Sequence, residues 1–496
     1  MLLRNDTLSS LRKGDILQIL VFVVLSVIIS LLAYSFNALL VPIMAIFVGV
    51  FVFLYKFYPT YILYFFLVFS IFQDFFVVIG SRISSNALLI DKIDEPVILL
   101  LLILTLFRNG VKKSFHNISQ IEIICLLFFI VGLLSSIKNN VSMVISLEQS
   151  FLTLKGLILF YIYKCHEYDA DELIHVSKRI FAPISIVILI GAMIEFISPL
   201  RFKSIVWQSS VMSERLGMIG LQSFFYHPGD YGWFMIVVTL IYAIVFMFFR
   251  EKKYFIIGIM FLIGSLLSLR RKPLLGFIFG ILISYILFTT HNNRRISIKK
   301  IAAFGLIGGF VLFVVSPFLD ALLQYTIAEY FTDKAVLQAR NALLLGSVKI
   351  AIDYFPLGVG FGRYGSWMSW VNYSPVYNDY GLSNIWGLSL QHPNFIADTF
   401  WPMILGETGI LGLILFSIIM LLIIRQLIIA FKSNISIRTQ MFTLIGLTIL
   451  LEGLVESIAQ PQFVKPPSAY ITFAILGIVI SLSNSEKQNY RKTPAQ

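Results

Sequence analysis

Long apolar segments alternate with short polar ones along almost the whole chain. Most of them approach the ~20 residues that an α-helix needs to cross a bilayer. The predicted spans are 16–33, 38–55, 59–73, 96–107, 121–137, 151–163, 180–197, 231–249, 254–269, 273–290, 301–318, 400–422, 439–456 and 469–482. This pattern predicts an all-α, polytopic membrane protein of about fourteen transmembrane helices. No small-residue cleavage site follows the first segment, so we expect an uncleaved helix rather than a signal peptide.

The interval 319–399 is the longest one without a membrane-length apolar run. Within it, residues 333–354 have the spacing of an amphipathic helix, which we expect to lie along the membrane surface. Its apolar positions are Val336, Leu337, Leu344, Leu345, Val348 and Ile352, and its polar positions are Arg340, Lys349 and Asp353. The bend Gly358-Val-Gly360-Phe-Gly362 follows, and no Gly-Lys-Ser/Thr sequence accompanies it, which excludes a P-loop. We therefore expect one integral membrane domain over 1–496, with a long loop at 319–399.

The composition also indicates a membrane protein, since 58% of the residues are hydrophobic and only 13% are charged. A soluble protein of this size needs a more polar exterior. The formal net charge is +12, and most Lys and Arg residues fall in alternate loops, as cytoplasmic loops require. Both termini are therefore predicted to be cytoplasmic, and the loop 319–399 to face outward. Nucleic acid is not an expected partner, because this positive charge faces anionic lipid.

Eight basic residues break this charge rule, because they lie in predicted outward loops or at outward helix ends. They are Arg201, Lys203, Arg215, Arg270, Arg271, Lys272, Arg340 and Arg363. Arg340 and Arg363 lie in the long loop, and long loops cross the membrane regardless of charge. The triplet Arg270-Arg271-Lys272 lies in a short hairpin between two spans, where that explanation is weak. We therefore expect the triplet to bind an anion.

All six tryptophans fall on the predicted outward side of the membrane. Trp233 and Trp401 begin spans and fit an interfacial aromatic belt. Trp367, Trp370 and Trp386 lie inside the long loop. Their flat faces suit either contact with sugar rings or simple packing of the loop, and the sequence does not choose between these roles.

Isolated ionisable residues near the outward side are the other candidates for chemistry, because motifs of soluble hydrolases and zinc proteases are absent. Arg215 has three open roles: a salt bridge with Glu214, contact with lipid headgroups, or ligand binding. His392 lies in Gln391-His392-Pro393-Asn394, just before a span, and is either structural or catalytic. Glu407 lies inside an apolar run, where an unpaired carboxylate is costly, so we expect it to face a cavity or a basic partner.

Neither a metal nor a cofactor is expected. Cys125 falls in a predicted span and Cys165 in a predicted cytoplasmic loop, and no Cys/His pattern has zinc spacing. Asp91, Asp94 and Glu95 cluster in an outward loop. They form either a cation site or, more simply, an ordinary acidic loop.

Three segments, in this order, resemble the signatures of the O-antigen ligase and polymerase family. The first runs from Arg215 to His227-Pro228-Gly229, where the family ends closer to Pro-Asn, and the second is Ser268-Leu-Arg270-Arg271-Lys272-Pro273. The third runs from Arg340 through Gly358-Val-Gly360-Phe-Gly362 and His392-Pro-Asn394 to Gly406-Glu407-Thr-Gly409. The departures at Gly229 and Pro273 leave open which of Arg270 and Arg271 corresponds to the family's arginine. The resemblance covers roughly residues 212–415.

The resemblance implies a multi-spanning glycosyltransferase, GT-C-like, that uses a polyprenyl-diphosphate-linked glycan as donor and works without metal. Arg215, Arg340 and one of Arg270 and Arg271 would bind the diphosphate, because guanidinium groups stabilise a leaving diphosphate through charge-assisted hydrogen bonds. His392 would accept the proton of the attacking hydroxyl, and Glu407 is the second catalytic candidate. The glycan-binding candidates are Trp367, Trp370, Trp386, Asn394 and Arg363.

The leading hypothesis is a polysaccharide repeat-unit polymerase of the bacterial plasma (inner) membrane, with lipid-linked glycans as donor and acceptor. An O-antigen ligase, which moves glycan to another acceptor, is the close alternative. A flippase or transporter for the same lipid-linked glycans is the alternative from another class, and would show repeated halves and charged or broken helices near the midplane. A chain-length regulator and a separate flippase would be further partners, besides membrane lipid.

Overall fold

The computed structural model describes residues 40–83, 91–111, 119–208, 214–215, 217–291, 339–433 and 436–492. Its α-helices are α1 (Leu40–Phe57), α2 (Pro59–Ile83), α3 (Asp94–Val111), α4 (Gln120–Lys138), α5 (Met143–Lys164), α6 (Ala170–Val176), α7 (Ala182–Ile197), α8 (Pro199–Val206), α9 (Pro228–Phe249), α10 (Lys252–Leu266), α11 (Lys272–His291), α12 (Ala339–Asp353), α13 (Trp367–Val371), α14 (Val376–Asp379), α15 (Trp401–Lys432), α16 (Ile437–Glu456) and α17 (Ser468–Lys492). A π-helical turn, Ser177–Phe181, joins α6 to α7. The strands among the described residues are the antiparallel pair β1 (Glu214–Arg215) and β2 (Met218–Ile219).

Some of the helices begin where the sequence offers a side-chain partner for the first backbone N–H groups. The Asp169 carboxylate accepts from the N–H groups of Asp171 and Glu172, and the Ser436 hydroxyl accepts from Thr439 N–H. Prolines occupy the first turns of α7, α9 and α15, where no N–H is needed. Between these ends the segments are apolar, and a helix satisfies their backbone groups internally, as hydrocarbon requires.

The chain divides into two compact units, residues 1–68 and residues 69–496, with the boundary inside α2. The described part of the first unit consists of α1 and the beginning of α2. The second unit contains the remaining helices and all the site residues that the sequence predicts.

Nine described helices are long and apolar enough to cross a membrane. The prediction of an all-α, polytopic membrane protein is therefore confirmed. The predicted spans 16–33 and 301–318 lie outside the described residues, and each of the others falls on a described helix. The count of fourteen spans stays a prediction.

The second unit is organised around α16 and α17, which are the most enclosed of its membrane-length helices. In an apolar 18-residue stretch of each helix, 78% of α16 and 83% of α17 is buried, against 28% of α4. α16 packs against α9, α11, α15 and α17, while α5 packs along α17 and α4 along α15. α4 is therefore one of the helices that present most of their apolar surface outward.

Contacts between helix ends sort the loops of the second unit into two groups. At one end, Trp401 Nε1 donates to Ser457 Oγ at 2.9 Å, and Lys465 Nζ donates to Asp230 at 2.8 Å. At the other end, Lys164 Nζ lies 2.7 Å from Glu122. The first group contains the segment 354–400, and we call this end of the bundle the loop end. It carries the loops that the charge pattern assigns to the outward side.

Candidate functional site

Residues 339–400 have a hydrophobic core of their own at the loop end. The core residues are Ala339, Ala342, Leu343, Ile350, Val359, Tyr364, Val376, Tyr377, Leu382, Leu388 and Ile396. Tyr364 Oη donates to the Leu343 carbonyl at 2.6 Å, and Tyr377 Oη accepts from Gly365 N at 2.9 Å. Burial raises the pKa of both phenols, so they remain neutral hydrogen-bonding groups. The segment is thus a packed platform rather than an extended loop.

α12 is part of this platform and buries Leu343, Ile350 and several small side chains, among them Ala342, Ser347 and Ala351. Its apolar stripe is exposed instead, and consists of Leu344, Leu345, Val348 and Ile352. Residues 333–338 of the predicted helix lie outside the described part of the chain. α12 also packs against the membrane-length helix α15. An exposed apolar stripe beside such a helix suits a position at the membrane surface.

The glycine bend enters a break in α15. Gly409 has φ +69° and ψ −166°, so α15 is not helical there, and a Cβ at Gly409 would collide with the Leu357 carbonyl. Val359 N donates to the Gly406 carbonyl at 2.9 Å, and Gly360 N donates to the Glu407 carbonyl at the same distance. N–H groups of the bend therefore donate to carbonyl groups that would accept from within α15 if that helix were unbroken.

Side chains from α4 fix the same junction. Ser135 Oγ donates to the Gly358 carbonyl at 2.6 Å and to the Glu407 carbonyl at 3.0 Å, and Asn139 Nδ2 donates to the Gly358 carbonyl at 2.8 Å. A Cβ at Gly358 would collide with the backbone of α15 at Gly406. The bend is therefore in direct backbone contact with α15, and side chains of α4 hold this junction.

The Glu407 carboxylate turns inward to the bend. Its Oε1 accepts from Gly362 N at 2.8 Å and from Tyr364 N at 3.4 Å, and its side chain is almost fully buried. Among the described residues, backbone N–H groups of the neighbouring segment meet this carboxylate in place of the expected basic partner. Glu407 therefore positions the platform. That Glu407 faces a cavity stays a prediction.

Arg340 stands at the start of α12 and pairs with Asp398. Its Nε donates to Asp398 Oδ2 at 2.8 Å, and one terminal nitrogen binds the same oxygen. The guanidinium side chain is 46% exposed. Asp398 thus fixes the direction of the guanidinium and leaves its other N–H groups accessible to a ligand.

Lys272 and Arg270 approach the same place from a different segment. Lys272 Nζ donates to the Ala459 carbonyl at 2.5 Å, which fixes it over the turn after α16. It lies within electrostatic range of Arg340, Asp398, Glu456 and Arg270. We call Arg270, Lys272, Arg340 and Asp398 the basic cluster. The structure includes Arg270 of the predicted arginine pair in it, while the Arg271 carbonyl accepts from Leu275 N in the first turn of α11.

Sequence reasoning missed Lys465 and its partner Asp230. Lys465 Nζ bonds Asp230 at the start of α9, and Lys465 also lies within electrostatic range of Asp398. A signal was present, since Lys465 is another basic residue in a predicted outward loop. This ion pair extends the charged surface of the loop end beyond the basic cluster.

The segment that contains Arg215 is anchored to the turn 267–272, which also contains Arg270. Arg215 pairs with Met218 through the backbone of β1 and β2, and its side chain lies outside the described part of the structure. Leu221 N donates to the Leu267 carbonyl at 3.0 Å. This bond ties the arginine segment to the turn that contains Arg270.

A buried carboxylate on α7 holds the rest of that segment. Glu195 Oε2 accepts from Gln222 N at 2.8 Å and from Ser223 N at 2.7 Å, and its other oxygen lies 3.9 Å from Lys203 Nζ. Lys203, one of the exceptions to the charge rule, is fully buried. Lys203 therefore stabilises the fold and is not accessible to an external anion.

His392 and the loop tryptophans occupy the surface of the platform. His392 is exposed, with its ring 6.5 Å from that of Trp386, and its backbone N donates to Ser389 Oγ. Trp367 and Trp370 contact each other with ring centroids 4.4 Å apart. Trp367 and Trp386 are exposed, so both are accessible to a ligand, whereas Trp370 packs partly against the core.

The remaining candidates are Asn394, Arg363 and the acidic group at the start of α3. Asn394 is exposed and Arg363 is half-buried. Asp94 is buried; it accepts from Gln73 Nε2 at 3.2 Å and lies 3.6 Å from Lys155 Nζ. Lys155, which is also buried, therefore compensates the negative charge of Asp94. Among the described residues, no group of three or more His, Cys, Asp or Glu side chains is arranged to hold a metal ion.

A scan against protein-family models finds none that matches this chain, and a search of curated proteins finds no significant match.

Proposed function

We propose that this protein is a polysaccharide repeat-unit polymerase of a bacterial plasma membrane. It transfers glycan from a polyprenyl-diphosphate donor to a lipid-linked acceptor on the outer face, with both chain termini in the cytoplasm. The observation that supports this most is the basic cluster. Side chains from the 267–272 turn, α12 and the end of the platform approach one another at one end of a membrane-embedded bundle.

A diphosphate suits this cluster because it is a compact, multiply charged anion that lies at the membrane surface when linked to a polyprenyl chain. Arg340 is held in one direction by Asp398, and Lys272 is held by the Ala459 carbonyl. Charge-assisted hydrogen bonds of this kind contribute about 1.5–3 kcal/mol each. Preorganised donors stabilise the charge that develops as the diphosphate leaves.

The proposed transfer is a single displacement at the anomeric carbon. The acceptor hydroxyl oxygen bonds to that carbon while the bond to the diphosphate breaks, which inverts the anomeric configuration. His392 takes the hydroxyl proton, and the basic cluster receives the leaving polyprenyl diphosphate. The exposed rings of Trp367 and Trp386 flank the platform surface, where they can stack on sugar rings.

A reconstituted transfer reaction tests this function. The purified protein in lipid vesicles is given polyprenyl-diphosphate-linked repeat units as both donor and acceptor. We expect lipid-linked products lengthened by whole repeat units, with one polyprenyl diphosphate released for each bond formed. Transfer only to a different, non-diphosphate acceptor would favour the ligase alternative. The absence of any new glycosidic bond with folded protein would contradict both.

The outward position of the platform is tested by labelling in cells. In a background with Cys125 and Cys165 replaced by serine, we expect Asn378→Cys to react with a membrane-impermeant thiol reagent once any outer membrane is permeable. Glu167→Cys, exposed at the opposite end of the bundle, should react only after the plasma membrane is broken. The reverse pattern would place the basic cluster in the cytoplasm, where the proposed transfer does not occur.

A transporter for lipid-linked glycans remains the second candidate, because α15 has the kind of break that transporter helices show. In this chain the break is filled by residues 356–362 rather than left open to a passage. Vesicles separate the two candidates, since a transporter moves lipid-linked glycan between leaflets without forming a glycosidic bond.

A further inference from the structure

Two carboxylates are buried one helical turn apart on α16. Glu452 is 0% exposed and Glu456 is 1% exposed. Residues separated by four positions share one face of a helix, so the two side chains are neighbours. That face packs on α11, where a Cβ at Gly276 would lie 2.9 Å from the Glu452 side chain. Glu452 is therefore enclosed between two closely packed helices, with Glu456 buried one turn further along α16.

Hydrogen bonds satisfy only half of the oxygens of this pair. Trp233 Nε1 donates to Glu452 Oε2 at 3.1 Å, and Gln460 Nε2 donates to Glu456 Oε2. No hydrogen-bond donor reaches Oε1 of Glu452 or Oε1 of Glu456 anywhere in the described part of the chain. A buried, ionised oxygen without a donor is strongly disfavoured.

The surrounding charges are too few to hold both carboxylates as anions. Among the residues that the structure describes, Lys272 on α11 and Asp230 on α9 are charged groups within electrostatic range of Glu456, and Glu456 is within range of Glu452. Lys465 is bound to Asp230. Asp230 is thus already compensated, and one ammonium group, that of Lys272, is left for two buried carboxylates. Neighbouring like charges in a buried site do not both ionise.

We propose that Glu452 and Glu456 form a proton-binding site that holds one shared proton. An O–H between the two carboxylates supplies a donor to an otherwise unsatisfied oxygen and removes one of two like charges. The remaining negative charge faces Lys272. This inference does not rest on glycan transfer and holds for any function of the loop end.

Reaction with dicyclohexylcarbodiimide detects such a site, because the reagent needs a protonated carboxyl in an apolar environment. The acid proton moves to a carbodiimide nitrogen and the carboxyl oxygen bonds to the central carbon. The resulting O-acylisourea rearranges to a stable N-acylurea, which peptide mass spectrometry locates. With the purified full-length protein at neutral pH, we expect the adduct on Glu452 or Glu456. Its yield should fall about tenfold per pH unit above the titration midpoint.

Glu122 is the control, because its carboxylate lies at the opposite end of the bundle, is 16% exposed, and is paired with Lys164 Nζ at 2.7 Å. It should remain unmodified. The infrared carbonyl band of a protonated carboxyl gives a second readout that does not depend on reagent access. That band should weaken in the variant with both Glu452→Gln and Glu456→Gln.

One result would overturn the proton site. The absence of both the adduct and a band sensitive to the double substitution would show that both carboxylates are ionised.

Discussion

Arg340→Lys is expected to lower glycan transfer on the order of 100-fold, the range seen when one preorganised donor to a developing oxyanion is lost. Lysine keeps the positive charge but lacks the planar fork that binds Asp398 through two nitrogens and leaves further N–H groups for a ligand. The measurement is initial transfer rate with purified, reconstituted protein. In cells, the same variant should accumulate single lipid-linked repeat units.

Arg438→Lys is the control, because Arg438 also forms an ion pair, with Asp171 at the opposite end of the bundle, and is 50% exposed against 46% for Arg340. It should transfer glycan at the wild-type rate. If Arg340→Lys also transfers at that rate, with normal protein levels, Arg340 does not bind the diphosphate.

Glu407→Ala is expected to reduce the free energy of unfolding by about 2–6 kcal/mol, since two buried N–H groups lose their acceptor at roughly 1–3 kcal/mol each. Gly362 N and Tyr364 N are these groups, and both lie where the platform joins α15. We expect a lower melting temperature in detergent and faster proteolysis within 354–400. Glu407→Gln keeps an acceptor oxygen, so its free energy of unfolding should fall less than that of Glu407→Ala.

Glu251→Ala provides the comparison for that substitution. Its carboxylate is 49% exposed and pairs with Lys253, which is also exposed. Removing it should leave the melting temperature nearly unchanged, because surface ion pairs contribute little. An effect of Glu407→Ala no larger than this would show that the carboxylate does not hold the platform.

The helices were predictable because each span satisfies a local rule. The predicted span 273–290 corresponds to α11, Lys272–His291, and the predicted span 439–456 corresponds to α16, Ile437–Glu456. Hydropathy and length decide these bounds, and both are properties of consecutive residues. The break in α15 was not predicted, although two glycines flank Glu407 in the sequence. Its cause is the bend around Gly358, which comes from another part of the chain.

The site was predictable only as a set of residue types on one side of the membrane. The charge rule, which depends on sequence alone, singled out Arg270, Lys272 and Arg340, and Arg270 and Arg340 lie within electrostatic range of Lys272. The charge rule does not reveal which residues these side chains contact in the fold. Lys465 and Asp230 are 235 positions apart, and Glu407 meets Gly362 across 45 positions. Such contacts depend on which helices pack against one another, and hydropathy does not determine that.

Binding of polyprenyl diphosphate to the purified protein in detergent micelles tests the role of the basic cluster most directly. We expect the wild type to bind the diphosphate more tightly than the monophosphate of the same lipid. Arg340→Ala and Lys272→Ala should each weaken diphosphate binding by about tenfold or more, the loss of one charge-assisted contact. Arg438→Ala should bind like the wild type. Equal affinity in all four proteins, or no preference for diphosphate over monophosphate, would contradict a diphosphate site at the basic cluster.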